Sequence, residues 1–193
     1  MASRARREAL PGRCEVCDGQ TRPGELRRGG VLEECRTCGH LRRSLDDAPA
    51  DHRDAAYGGD PALDAVRTRL THRWLCAAGR PASVFEIGYG SGALLRRFHD
   101  DGAAVSGVDP DQLAVDVDPV VSANARLWNC AVEDVPDGAV SADLVVGVHV
   151  IEHVSDPGVT MDKAATMLTE SGTLVLLTPA ADSWGPRTFG SAW

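Results

Sequence analysis

The sequence predicts an α/β fold, a mainly parallel sheet with helices on both faces, preceded by a small cysteine-rich unit. Three observations predict it. Short apolar runs alternate with stretches of helical spacing through residues 61–193, three glycines stand where the first run gives way to a helix, and two C-x2-C pairs lie ahead of both. With 193 residues, 43% of them hydrophobic, the chain can bury one sizeable core and a small appendage. The expected organisation is a ribbon over 1–45, a linker over 46–60 and a main domain over 61–193.

The ribbon comes first. Cys14 and Cys17 form one pair, and Cys35 and Cys38 a second after seventeen residues, which is the spacing of a four-thiolate metal site. Glycines at Gly19 and Gly39 permit tight turns beside each pair. Zinc is the expected metal, and its role structural, because four protein ligands leave no position for water or substrate. Two disulfides are the competing reading. The amino end lacks an apolar secretion signal, so a reducing, cytoplasmic setting and metal ligation are favoured. His40 is a spare ligand candidate, while Cys76 and Cys130 sit in apolar contexts and read as inert small hydrophobes.

The stretch before Gly59 is rich in Asp and Ala and reads as a linker. Pro61 suits a first helical turn, and Leu63, Val66, Leu70 and Trp74 follow at helical spacing, predicting an amphipathic helix over 61–78 that covers the sheet. Strands are expected at Val84 to Ile87, Val105 to Val108, Ala125 to Asn129, Leu144 to Val148 and Thr173 to Leu177, with helices between most of them.

The segment Glu86-Ile87-Gly88-Tyr89-Gly90-Ser91-Gly92 joins the first of these strands to the next helix. Absent side chains let a ligand approach the backbone, and the free amides at the helix start point towards it. Asp109 ends the next strand, where a carboxylate can bind both hydroxyls of a ribose. Dinucleotide loops run G-x-G-x-x-G, whereas this one runs E-x-G-x-G-x-G. A carboxylate at Glu86 would repel a pyrophosphate but can reach the cationic amino group of an aminoacyl cofactor, which favours S-adenosylmethionine.

Four ordered segments, Glu86 to Gly92, Gly107-Val108-Asp109-Pro110, Ala142 to Val146 and Glu152-His153-Val154-x-Asp156-Pro157, resemble the class I S-adenosylmethionine-dependent methyltransferases. The resemblance covers residues 14 to about 184 and implies a Rossmann-like sheet. The leading ribbon resembles that of a subgroup whose members include sugar C-methyltransferases of antibiotic pathways. By this resemblance Glu86, Gly88 and Gly90 contact the aminoacyl part, Gly92 completes the loop, Asp109 holds the ribose, and Tyr57 lies over the cofactor. Where relatives place an acid for the adenine amino group, this sequence has Ala131, so the backbone of Ala131 and Val132 or the side chain of Glu133 takes that role.

His149-Val150-Ile151-Glu152-His153 also matches an inverted zinc-protease pattern, but it follows a strand directly instead of lying within a long helix. Some ubiquinone-pathway and small-RNA methyltransferases bind a divalent ion at this spacing; here His149, at the strand end beside the cofactor, replaces their first acid and weakens that reading. A general base is the remaining role. His153 has the best intrinsic acidity and Glu152 can orient it, although the pair also suits plain capping of a helix.

The net charge of −8 is uneven: ten arginines face six acids over 1–45, and ten bases face twenty-two acids over 46–193. An acidic body disfavours nucleic acid, and no run of about eighteen apolar residues suggests a membrane span. The expected function is methyl transfer to a small-molecule acceptor in secondary metabolism. An RNA methyltransferase anchored by the ribbon, or a non-catalytic cofactor-binding or interaction protein, are the alternatives. Sixteen residues follow Leu177, too few for two closing strands, so the expectation is a short chain whose sheet edge pairs in a homodimer or with a partner.

Overall fold

The computed structural model describes residues 12–25, 31–42, 60–110, 115–154 and 156–180, together with Trp184 and Thr188. It divides into two compact units, the larger formed by His52–His153 with Thr160–Thr178. Tyr57 and the whole of the expected linker except Asp60 fall outside the described residues.

The cysteine unit is a three-stranded antiparallel sheet of β1 (Thr21–Glu25), β2 (Val31–Cys35) and β3 (Leu41–Arg42). Its register pairs Thr21 with Cys35 and Glu34 with Leu41, which hangs one cysteine pair on the end of a strand. Few apolar residues are available here, and ion pairs lace its surface: Arg42 reaches Glu15 at 2.9 Å and also binds Glu33, and Arg22 holds Glu34 at 2.6 Å.

From residue 60 onward, α1 (Pro61–Leu75) leads into β4 (Ser83–Ile87), α2 (Ala93–Asp100), β5 (Ala104–Val108), α3 (Pro119–Asn124), β6 (Arg126–Trp128), β7 (Ala142–Val148), α4 (Pro157–Ala165) and β8 (Leu168–Leu177). The strands form one parallel sheet in the order β6-β5-β4-β7-β8. This is the expected α/β architecture. Between β6 and β7 the described chain forms only a short 3-10 turn, Val132–Asp134, in keeping with helices between most but not all of the strands.

Core residues lie on both faces of the sheet, as the near-continuous apolar runs of its strands require. Val84, Leu95, Phe98, Val121 and Val146 pack on one face. Phe85, Val108, Val135, Val145 and Met167 pack on the other. Phe85 is fully buried, with its ring centroid 5.9 Å from that of Trp128.

Helix α1 departs from expectation. Asp60 caps it by accepting the Ala62 amide, and Cys76 ends it three residues before Gly79. The stripe predicted to cover the sheet faces away from it, with Leu63, Val66, Leu70 and Trp74 all exposed and Trp74 at 59%. It is Leu75 and Cys76 that pack against the core, while His72 sets its ring edge-on to Phe98. Periodicity locates an apolar face but does not say what covers it.

Phe85 supports both the sheet and the loop that follows it. Phe85→Ala is expected to lower unfolding free energy by about 3–5 kcal/mol, read from urea denaturation; a loss below about 1 kcal/mol would show that the core collapses around the vacancy.

Candidate functional site

In this sheet the chain runs from β4 outward through β5 to β6, then returns to β7 on the other side of β4. Loops leaving β4 and β7 therefore diverge, and a crevice opens at the carboxyl ends of these strands, where open parallel sheets bind ligands. Glu86, the glycine loop, Asp109 and the His149–His153 segment all belong to that end.

Glu86 is the penultimate residue of β4, 5% exposed, and among the described residues its Oε2 has no hydrogen-bond partner. Burial holds its carboxyl well above the ordinary carboxylate range; the Leu95 backbone amide opposes this and the charge of Asp109 adds to it. An unsatisfied buried carboxyl oxygen is costly. A hydrogen-bond donor brought by a ligand would satisfy it.

Gly88, Gly90 and Gly92 adopt φ of 73°, 49° and 74°, the left-handed region that suits glycine. At Gly88 a Cβ would also lie 2.5 Å from Val150 Cγ2, so the loops after β4 and β7 approach too closely for any side chain there. The Gly88 amide donates to the Val108 carbonyl at 2.7 Å, and the Gly90 amide to Asp109 Oδ2 at 2.9 Å. Asp109 thus fixes the loop while standing at the end of β5. Its own amide donates to the Trp128 carbonyl at 3.0 Å.

Two contacts here were not foreseen. Tyr89 is buried and donates from its hydroxyl to Asn129 Oδ1 at 2.9 Å, tying the glycine loop to the residue after β6. Asp118 caps α3 by accepting the Val120 amide at 2.8 Å, while its own amide donates to the Ser91 carbonyl at 2.8 Å. Asp118 followed by Pro119 is a legible helix start. Nothing in the sequence pattern marks the tyrosine contact.

At the expected adenine end, Ala131 precedes the 3-10 turn and Val132 is buried. Glu133 accepts a hydrogen bond through Oε1 from the hydroxyl of buried Thr160 on α4. One oxygen of the candidate adenine contact is therefore engaged within the fold.

Beyond β7, His149 takes φ 55°, a left-handed conformation uncommon for a residue with a side chain, and its amide donates to the Leu177 carbonyl at 2.8 Å. Its Nδ1 lies 3.2 Å from Glu152 Oε1, and Thr178 Oγ1 donates to Glu152 Oε2 at 3.1 Å. Ile151–His153 is a 3-10 turn, so the two histidines do not lie on one face of a long helix as the protease pattern requires. Glu152 joins the ends of β7 and β8, and His153 is exposed beside it.

In the cysteine unit, the Sγ atoms of Cys14, Cys17, Cys35 and Cys38 all lie within 4.8 Å of one another. Cys14 is 3.7 Å from Cys38 and Cys17 is 3.4 Å from Cys35. Four donors around a tetrahedral zinc sit roughly 3.8 Å apart, so the set fits that ion. Backbone amides of Cys38 and Thr37 draw the Cys35 thiol down to about 6. The Gly19 amide favours the Cys17 thiolate, yet its hydrogen bonds with Cys35 and Cys38 push it up to about 12. Gly19 is needed because a Cβ there would meet Thr37 Oγ1 at 2.5 Å. The spare ligand candidate His40 instead pairs with Glu15 at 2.9 Å.

Glu86 makes stability pH-dependent in a direction opposite to a salt-bridged acid. Folding raises its pKa above the ordinary 4.5, so its contribution is present below that value and is lost as pH rises through the folded value. Glu86→Gln is therefore expected to flatten the fall in ligand-free stability between acid and pH 8 and to resist urea better than the parent chain there; an unchanged slope would contradict the assignment.

The geometry can be set beside known proteins. A ubiquinone biosynthesis O-methyltransferase of Nitrobacter winogradskyi is 31% identical over 106 residues, 53% of this chain and 40% of that protein, so the chain spans less than half the length of this curated relative. Among solved structures, the Burkholderia thailandensis 1,6-didemethyltoxoflavin-N1-methyltransferase, with bound 1,6-didemethyltoxoflavin and S-adenosylhomocysteine, is 20% identical with a TM-score of 0.53. The likeness covers 80% of this chain and 71% of that one. The N-methyltransferase NodS of Bradyrhizobium japonicum, in complex with S-adenosylhomocysteine, is 17% identical with a TM-score of 0.54, over 76% and 78% of the two chains. These structures share the fold. The family described as a methyltransferase domain matches residues 60–192, more than half of the sequence, and the chain belongs to that family.

Proposed function

We propose that this chain binds S-adenosylmethionine at the carboxyl ends of β4 and β5 and serves methyl transfer to a small-molecule acceptor, with a structural zinc in the amino-terminal ribbon. The observation that carries the reading is the buried, unpartnered oxygen of Glu86 beside three left-handed glycines. It suits a ligand with a cationic amino group. Glu86 would hold that group, the loop from Gly88 to Gly92 the aminoacyl chain, Asp109 the ribose, and Ala131, Val132 and the second oxygen of Glu133 the adenine edge.

The cofactor supplies a methyl group on a sulfonium, already electrophilic. The chain then needs mainly to align the acceptor and exclude water. His153, exposed beside Glu152 in the segment after β7, can take a proton from an acceptor hydroxyl or amine, while Glu152 and His149 brace the loop that carries it. One of the solved structures above holds 1,6-didemethyltoxoflavin, which supports a small-molecule acceptor; a place in secondary metabolism accords with the leading ribbon. No described helix is long and apolar enough to cross a membrane. A cytoplasmic setting, with its reducing thiol pool, suits the four free ribbon cysteines.

Calorimetry with S-adenosylmethionine tests the site. Burial raises the Glu86 carboxyl above its ordinary range and pairing with an ammonium favours its charged form, so binding should be accompanied by proton release and tighten as pH rises through that range. Asp109→Ala should weaken affinity by about 1.5–3 kcal/mol, roughly tenfold or more. A folded protein that binds nothing would sink the proposal, and tight binding without transfer to any acceptor would leave a cofactor-binding protein instead of an enzyme.

The ribbon is tested separately. Elemental analysis should find zinc that Cys17→Ser with Cys38→Ser removes, with loss of about 10 kcal/mol or more of apparent binding free energy. Equal zinc in both proteins would contradict the assignment.

A further inference from the structure

Helix α1 fully buries none of its residues, and near its carboxyl end Leu75 and Cys76 pack against the core that includes Leu94, Leu95 and Phe98 of α2. His72 and Cys76 lie one turn apart on the same face, as positions four residues apart must. Asp101, the residue that ends α2, meets them from the other helix. His72 Nε2 is 3.2 Å from Asp101 Oδ2 and 3.6 Å from Cys76 Sγ, and the three donor atoms lie within 4.8 Å of one another.

We propose that His72, Cys76 and Asp101 form a second metal site, for a zinc-class divalent ion held by one nitrogen, one sulfur and one oxygen. The separations from His72 Nε2 fit. Zinc bonds of about 2.0–2.3 Å at tetrahedral angles put neighbouring donors roughly 3.3–3.6 Å apart for such a set. Without an ion the imidazole can donate from Nε2 to Asp101 while the Cys76 thiol, a weak donor and acceptor, lies beside it. A cation placed between the three atoms satisfies all of them at once.

The surroundings suit such an ion. The ring of His72 is held edge-on by Phe98, with centroids 4.8 Å apart, which sets the direction of Nε2. Asp101 Oδ1 is bound by Arg80 at 3.2 Å, leaving Oδ2 to face the site. On binding, Cys76 loses its proton to solvent and ligates as thiolate, and the imidazole ligates through Nε2 with its hydrogen on Nδ1. Three protein ligands leave a fourth position for water. The thiolate and carboxylate balance the charge of the ion, which then staples α1 to the end of α2.

The test is read on Cys76 itself, in the full chain, with zinc chloride as probe. Alkylation by iodoacetamide, mapped by peptide mass spectrometry, should slow at Cys76 by about tenfold or more on adding zinc, because a ligated thiolate is withdrawn from reaction. Cys130, also partly buried, should be unaffected. His72→Ala and Asp101→Asn should remove the protection, and Cys76→Ala should carry one zinc per chain fewer than the parent. Equal alkylation of Cys76 with and without zinc, equal slowing at Cys130, or equal zinc content in Cys76→Ala and the parent would each overturn the site. Because the first measurement uses the unaltered protein, a poorly folding variant does not rescue the idea, and loss of ribbon zinc does not mimic it.

Discussion

Strand β4 is hydrogen-bonded to parallel neighbours on both edges and covered on both faces, so the place of its last residues is set from four sides. A carboxyl is put there. There it is almost wholly withdrawn from water, at 5% exposure. The loop that follows inherits the same constraint, because the amide of Gly88 continues the pairing of β4 with β5 by bonding to Val108. The conformation of the glycines and the placement of Asp109 are thus consequences of strand pairing, and the ligand chemistry rests on the sheet more than on the loop.

The other end of β4 explains why that pairing does not slip. Asp143, early in β7, accepts the amides of Ala82 and Ser83, each at 3.1 Å, and its own amide donates to Ser83 Oγ at 3.0 Å. Thr169 of β8 donates to the remaining oxygen at 3.2 Å. One side chain therefore clamps three strands in register. A shift of one residue would turn every side chain of β4 to the opposite face, placing Phe85 where Glu86 belongs.

Much of this was legible before any coordinates. The strands that became β4, β5 and β7 are apolar runs bounded by turn residues, and only their ends moved by one or two positions. The glycine loop, Glu86 and Asp109 declare themselves because their residue types are required by backbone geometry and charge, both local. What stayed hidden depended on distant partners. β1 contains Pro23 and Gly24, which argue against a strand in isolation, and β8 begins at Leu168 although Ser171 and Gly172 read as a turn; its pairing with β7 shifts register between Ala142 and Leu144. The apolar stripe of α1 has perfect helical spacing and still faces outward, while the polar His72 and the thiol once read as inert sit on the side that packs. Glu133 could be proposed for the adenine from its position, but its bond to Thr160 joins residues far apart in sequence and no local pattern announces it.

Tyr89 has a further consequence. The chain contains two tyrosines, and this one lies inside the glycine loop, 7% exposed, with its hydroxyl donating to Asn129. Its ring also closes on Gly107, where a Cβ would sit only 3.0 Å from Cδ1. Tyrosine ring vibrations respond to whether the hydroxyl donates, so the loop carries its own spectroscopic reporter. Any rearrangement as the loop fills registers in the Raman spectrum of an unlabelled chain.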